Sequence, residues 1–284
     1  MIIREKNKGK KIYYYLEHSI RKGKKVIKKE KYLGSEIPKN IDEIKEEFGR
    51  ELKRDLYSKL EKIREIFQME WKRIPKNAQE KELEEISIAF TYNTNAIEGS
   101  TITLEEAREI IQDKISPNKP LIDVKETEAH SKVFLEMLKG KEITKELLLK
   151  WHEKIFSETK PHIAGKFRDY MVRVGSYLAP NWQNVENLIK DLIDFIHKNK
   201  KMNPVELAGR VHYQFESIHP FGDGNGRIGR LIMNQILWQA GYPMLIIEYT
   251  KRKQYYKAFT KGQEDFVNYF IKKYFSVHKK RFLK

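Results

Sequence analysis

His219-Pro220-Phe221-Gly222-Asp223-Gly224-Asn225-Gly226-Arg227-Ile228-Gly229-Arg230 is the stretch on which the fold and chemistry of this chain turn. Leu231-Ile232-Met233-Asn234-Gln235-Ile236-Leu237 follows with apolar residues at helical spacing, so a glycine-rich loop opens a helix here. Such a junction is an anion site, because unpaired backbone N–H groups and the positive helix end converge on one point. Gly224 and Gly226 let oxygen atoms approach the backbone closely. Arg227 and Arg230, three apart, share the first helical turn, where both guanidinium forks can grip phosphate. Asp223 is a hard oxygen ligand of the kind Mg²⁺ takes together with phosphate oxygens. His219 precedes the nest with an ordinary pKa near ~6.5, in the range of a general base. Each has a bland reading alone: a core histidine, an Asp-Gly turn, a solvated arginine pair. Their conjunction is what selects a phosphate-handling site.

Working outward, the 284 residues suffice to bury a core. The absence of cysteine excludes disulfides and thiolate zinc and fits a reducing cytosol. No apolar run at the start resembles a signal peptide and none reaches membrane-spanning length, so a cytoplasmic location without a membrane partner is expected. The net charge of +16 suggests nucleic acid at first sight. Its distribution argues otherwise: residues 1–34 hold 12 Lys and Arg against 3 Asp and Glu, residues 272–284 hold 6 against none, and the stretch between is nearly neutral. The abundance of Lys and Glu also resembles thermophile composition.

Residues 11–33 alternate around Arg21-Lys22-Gly23-Lys24 and predict a basic β-hairpin, with a linker from Ser35 to Asn40. Ile44, Phe48, Leu52, Leu56, Leu60, Ile63 and Phe67 predict one long helix from Ile41 to about Trp71, closed by Pro75. A second helix, Gln79 to Asn93, leads to Gly99, which suits a left-handed cap. Thr103 with Glu106 predicts a capping box. Further helices are expected near 123–138, 144–157, 184–198 and 204–218. Asn203-Pro204 opens the last of these, and Leu207, Ala208, Val211, Phe215 and Ile218 form its buried face. Phe167 to Leu178 alternates as a second hairpin. The fold expected is mainly α.

The pattern His-x-Phe-x-Asp/Glu-Gly-Asn-Gly-Arg-x-x-Arg at 219–230 resembles the signature of Fic-domain proteins at every defined position, and the likeness extends over roughly 125–245. It implies a Fic-type helical domain with a β-hairpin flap that transfers AMP from ATP to a Ser, Thr or Tyr hydroxyl of a target protein. It implies His219 as the base, Mg²⁺ held by Asp223, and phosphates held by the loop from Gly222 through Gly224, Asn225 and Gly226 to Arg227. Arg230 would receive the γ-phosphate and Phe221 would anchor the loop in the core. Doc-like members, which transfer a γ-phosphate instead, carry Lys where this chain has Gly226. Thr94-x-x-x-Glu98-Gly99 resembles the family's inhibitory motif, which implies Glu98 paired with Arg230. The same acid could instead position a water that removes AMP, and the sequence leaves both roles open.

Gly165-Lys166-Phe167-Arg168 and Val172-Arg173-Val174-Gly175 resemble the flap, which would engage a protein target near 166–176 by strand addition. Tyr255 and Tyr256 lie where members often place an aromatic near adenine, and Tyr256 is taken as the nucleotide contact, although core or surface packing is the more expected role for either one alone. Trp151-His152-Glu153-Lys154-Ile155-Phe156 lacks the second histidine of a zinc-protease helix, so His152 reads as a core residue. The expected division is a basic hairpin appendage (1–37), a helical region with the inhibitory helix Thr94–Gly99 (38–122), a Fic catalytic domain (123–250) and a C-terminal helical extension (251–284). A de-AMPylase, a transferase of another nucleotide, or a nucleic-acid-associated regulator with a vestigial site are the alternatives. Nucleic acid is disfavoured as a partner, ATP is the expected substrate, and a homo-oligomer stays open.

Overall fold

Strand-forming residues fill the start of the chain and build a three-stranded antiparallel sheet, β1 (Ile2–Lys8), β2 (Lys11–Lys22) and β3 (Lys25–Gly34), in that order. The structure, a computed structural model, describes residues 1–9, 11–22, 25–140 and 142–283. The Gly23-Lys24 part of the expected hairpin turn therefore lies outside the described residues. The expected hairpin gains a third strand, because β1 pairs along β2 from Ile2 opposite Glu17 to Lys8 opposite Lys11. β1 does not alternate cleanly, with Ile2-Ile3 adjacent and charges after them, which hid it from periodicity. Period-2 geometry sends Leu16 to one face, where it is fully buried, and Tyr13 and Tyr15 to the other, where they gather with Tyr32.

Helix α1 (Ile41–Arg73) begins on Asp42 and Glu43 and ends on Lys72 and Arg73, charges that complement its dipole. The chain divides within it into two compact units, residues 1–59 and 60–284. Phe48 belongs to the core of the first; Leu60, Ile63 and Phe67 belong to the second.

The second unit continues with α2 (Lys76–Ile97), α3 (Leu104–Arg108), a single π-helical turn (Glu109–Asp113), α4 (Leu121–Met137) and α5 (Lys145–Phe156). A two-residue hairpin follows, β4 (Arg173–Val174) with β5 (Tyr177–Leu178), and then α6 (Val185–Lys198), α7 (Pro204–Ile218), α8 (Asn225–Gln239), α9 (Arg252–Phe259) and α10 (Gln263–Phe282). Every residue of α8 from Asn225 to Leu237 is buried, the mark of a helix enclosed on all sides. Helices α2, α4, α5 and α7 pack around it. Asn203 caps α7 through its side-chain oxygen, Pro204 takes the first helical position, and the expected buried face from Leu207 to Ile218 is found. The Thr103–Glu106 capping box is present as well.

Two further elements differ from expectation. Helix α2 runs one turn further, to Ile97, so Thr94 sits inside it and Glu98 caps it. The flap strands are short, because the Arg168 N–H donates to the Pro220 carbonyl instead of to a hairpin partner, leaving Phe167 to Val172 irregular. Among the described residues no helix is long and apolar enough to cross a membrane.

Candidate active site

Helix α7 stops at His219, which takes a left-handed conformation (φ 50°, ψ 60°) while its N–H still reaches the Phe215 carbonyl. A non-glycine residue rarely holds that geometry without support. The support is Arg168, which is buried and donates from Nε to the His219 carbonyl at 2.8 Å. Its other nitrogens donate to the carbonyls of Tyr170, Pro180 and Ile218. These include the orphan carbonyls at the end of α7, so one guanidinium caps the helix and ties it to the flap. Burial holds the His219 imidazole below its ordinary pKa against an opposing hydrogen bond to the Glu216 carbonyl. The ring is neutral at neutral pH, with one nitrogen on that carbonyl and the other able to accept a proton.

The loop after His219 is braced from within. Phe221 is fully buried and stacks on His152, with ring centroids 3.9 Å apart and planes 8° from parallel. His152 accepts at Nδ1 from the Gly165 N–H, which leaves Nε2–H to donate to the Asp223 carbonyl at 3.0 Å. Burial lowers its pKa to about 4, so this neutral tautomer persists. The Asn225 side chain accepts from the Phe221 N–H and donates to the Phe221 carbonyl, closing the loop on itself. A Cβ on Gly222 would run into the Tyr170 hydroxyl, and one on Gly224 (φ +79°) into the Phe156 ring.

A set of ion pairs organises the charge. Arg227 is buried against Glu126 of α4, its guanidinium 4.4 Å from the Phe156 ring centroid. Lys160 lies 2.7 Å from Asp223 Oδ2 and 2.9 Å from Glu126 Oε1. Arg230 is almost wholly buried and donates from Nη2 to Glu98 Oε1 at 2.5 Å, with weaker bonds to the Thr94 hydroxyl and carbonyl. Burial works most strongly against the Arg230 charge, but its neighbours together, Glu98 first among them, hold the guanidinium above its ordinary value. Burial also opposes the Asp223 charge, but Arg227 and Lys160 pull its carboxyl below the usual range, so it is ionised.

Glu98 therefore fills the seat that the loop offers to an anion. It stands at the end of α2, where Gly99 (φ +96°) turns the chain away and Ser100 N–H returns to the Asn95 carbonyl. A Cβ on Gly226 would run into Glu98 Oε1, so the carboxylate lies against the first turn of α8. Beside it opens a cleft lined by Asn95, Ser100, Ile122, Glu126, Lys160 and Asp223. Among the described residues no group of three or more His, Asp or Glu is assembled for a metal. One ionised carboxylate next to an anion seat, already facing the Lys160 cation, is nonetheless the donor set that Mg²⁺ shares with a nucleotide.

His219, Asp223, Arg227, Arg230 and Glu98 are thus brought to one loop and its neighbouring helix end. Asn225 is nearby, but its amide is engaged within the loop. Tyr256 is half exposed and donates to the Ile97 carbonyl beside Glu98, while Tyr255 is buried on His212. The flap strands are exposed. Sequence reasoning missed Glu126 and Lys160 and gave Arg168 only as part of the flap. Glu126 had a signal, an acid in register with His130, Val133 and Met137 on the buried stripe of α4.

Residues 142–237 match the family described as Fic/DOC family. The protein adenylyltransferase Fic of Nematostella vectensis is 31% identical over 198 residues, 67% of this chain and 46% of that protein. The protein of the same name from Culex quinquefasciatus is 32% identical over 196 residues, 66% of this chain and 39% of its own. This chain spans less than half the length of these curated relatives. Among solved structures, Fic-1 (residues 134–508) from C. elegans superposes with a TM-score of 0.68 at 25% identity, covering 82% of this chain and 72% of that one. A Fic family protein from Desulfovibrio desulfuricans G20 gives 0.67 at 25%, covering 79% and 73%.

Proposed function

This chain carries a domain of the Fic/DOC family, and from that premise we propose that it is a protein adenylyltransferase, restrained by its own Glu98. The observation that carries this is the Glu98 carboxylate seated on Arg230 at the head of α8, in the anion site that a nucleotide phosphate would need.

The neutral His219 imidazole takes the proton of a target hydroxyl as its oxygen attacks the α-phosphorus of ATP. The new O–P bond forms as the bond to the β-phosphate bridging oxygen breaks, and pyrophosphate leaves. The backbone N–H groups at the start of α8 and the pre-set Arg227 fork stabilise the charge that grows on the phosphate oxygens. Gly222 and Gly224 keep the loop backbone within reach of those oxygens, and Asn225 fixes its curvature through Phe221. Asp223 would hold Mg²⁺, which when bound neutralises phosphate charge. Tyr256, half exposed beside Glu98, is assigned to the base, and the exposed edge of β4–β5 takes an extended target segment by strand addition. Arg230 receives the γ-phosphate only when Glu98 withdraws.

The test uses α-labelled ATP with Mg²⁺ and cell extract. Wild type is expected to label protein weakly and Glu98→Gly at least about tenfold more, with His219→Ala silent although it still binds ATP. Full labelling by His219→Ala would sink the assignment. An unchanged signal in Glu98→Gly would remove the restraint and leave the transfer standing.

A further inference from the structure

Lys160 reaches the site from the turn after α5, where its own N–H donates to the Phe156 carbonyl. Its ammonium stands between carboxylates from two elements, Asp223 on the loop and Glu126 on α4. Glu126 has other partners, since Arg227 takes Oε2 and the Thr159 hydroxyl donates to Oε1 at 2.9 Å. Asp223 is more dependent: Arg227 Nη2 stands off at 3.6 Å, and Oδ1 accepts the N–H of the adjacent Gly224. Lys160 is therefore chiefly the counter-charge of Asp223. Its side chain is partly exposed at the cleft. A lysine there is a point charge on a flexible stem, able to exchange one oxygen partner for another.

We propose that Lys160 is a positioning residue that occupies Asp223 in place of a divalent cation and moves its ammonium to a phosphate oxygen when nucleotide arrives. The inference rests on the nucleotide-site reading above. Its chemistry is competition: Asp223 serves either the ammonium or the metal. Without Lys160, Asp223 is left with the more distant Arg227 as counter-charge, so metal-free ATP is repelled more strongly, while a divalent cation no longer has the ammonium to displace. Removing the lysine therefore makes nucleotide binding depend more steeply on metal.

The experiment is calorimetric binding of ATP in the full chain carrying His219→Ala, which prevents turnover, with EDTA and with Mg²⁺. In Lys160→Gln the ratio of the two affinities is expected to widen by at least about tenfold, or ~1.4 kcal/mol. Lys160→Arg is expected to keep the ratio of the parent. Equal ratios in all three proteins overturn the proposal. Should Lys160→Gln not fold, Asp223→Asn takes its place: metal-free ATP is expected to bind more tightly than in the parent, and adding Lys160→Arg to keep that gain. Metal-free binding no tighter than in the parent would also overturn it. ATP binding to none of the proteins, with or without Mg²⁺, would take down the nucleotide-site reading itself, and this inference with it.

Discussion

Glu98→Gly removes the carboxylate from a guanidinium that is only 1% exposed. What remains for Arg230 is the Thr94 hydroxyl and carbonyl, each at 3.3 Å. Glu216, whose charge bears on Arg230, offers little relief, because burial raises its pKa to about 8 and it is protonated at neutral pH. Stripping one partner from a buried ion pair costs about 3–5 kcal/mol. Glu98 keeps 28% of its side chain in solvent, so the pair is partly screened and about 2–3 kcal/mol is the better figure. For a unit of this size that lowers Tm by roughly 5–10 °C. Glu98→Gln, which keeps an acceptor but loses the charge, should fall between. ATP should then reverse the loss: at a hundred times Kd it contributes ~2.7 kcal/mol, and the variant should gain more than wild type, where Glu98 contests the seat. Thermal melts with and without an ATP series read both effects. A Glu98→Gly protein that melts within about 1 °C of wild type without nucleotide would refute the idea that Arg230 depends on this acid.

Burial holds His152 and His278 near pKa 4 and His212 near 3, against ~6.5 when unfolded. Below pH 6.5 the unfolded chain takes up protons that the folded chain refuses, so stability should drop by ~1.4 kcal/mol per histidine per pH unit down to about pH 4. Urea midpoints unchanged between pH 7 and pH 5 would contradict this. Glu216 works with the opposite slope: folded it keeps its proton to about pH 8, unfolded it loses it near the ordinary carboxylate value. Stability is withdrawn as pH rises through that window, so Glu216→Gln should gain on wild type at pH 8 and not at pH 4.5. Phe221→Ala empties a fully buried site against His152 and should cost ~3–5 kcal/mol by chemical denaturation. Arg168→Met should slow AMP transfer far more than it weakens ATP binding, because it frees His219 from its left-handed conformation and leaves the anion seat in place; equal losses in both would count against this role.

The parts of the site legible in the sequence are those written within a few residues of one another. His219 to Arg230 is a contiguous stretch, its glycines and charges follow from local geometry, and Thr94 to Gly99 is one helical turn and its cap. What could not be read is how distant polar groups divide their partners. Asn225 resembles a phosphate ligand in sequence, yet its amide is engaged by the backbone of Phe221 four residues away. Lys160 and Arg168 lie in an irregular segment without periodicity, and only the packed chain shows that one holds Asp223 and the other the end of α7. The two arginines make the same point most sharply. In sequence they are equivalent phosphate grips three residues apart. In the fold Arg227 is locked to Glu126, an acid inside α4 that is itself buried, so it is pre-set and has nowhere to go. Arg230 is paired with an acid at a helix end that keeps contact with solvent. An acid in that position can leave without dismantling the core, and a buried one cannot. Restraint by an internal carboxylate can therefore act through Arg230, while Arg227 can serve only as a fixed part of the site.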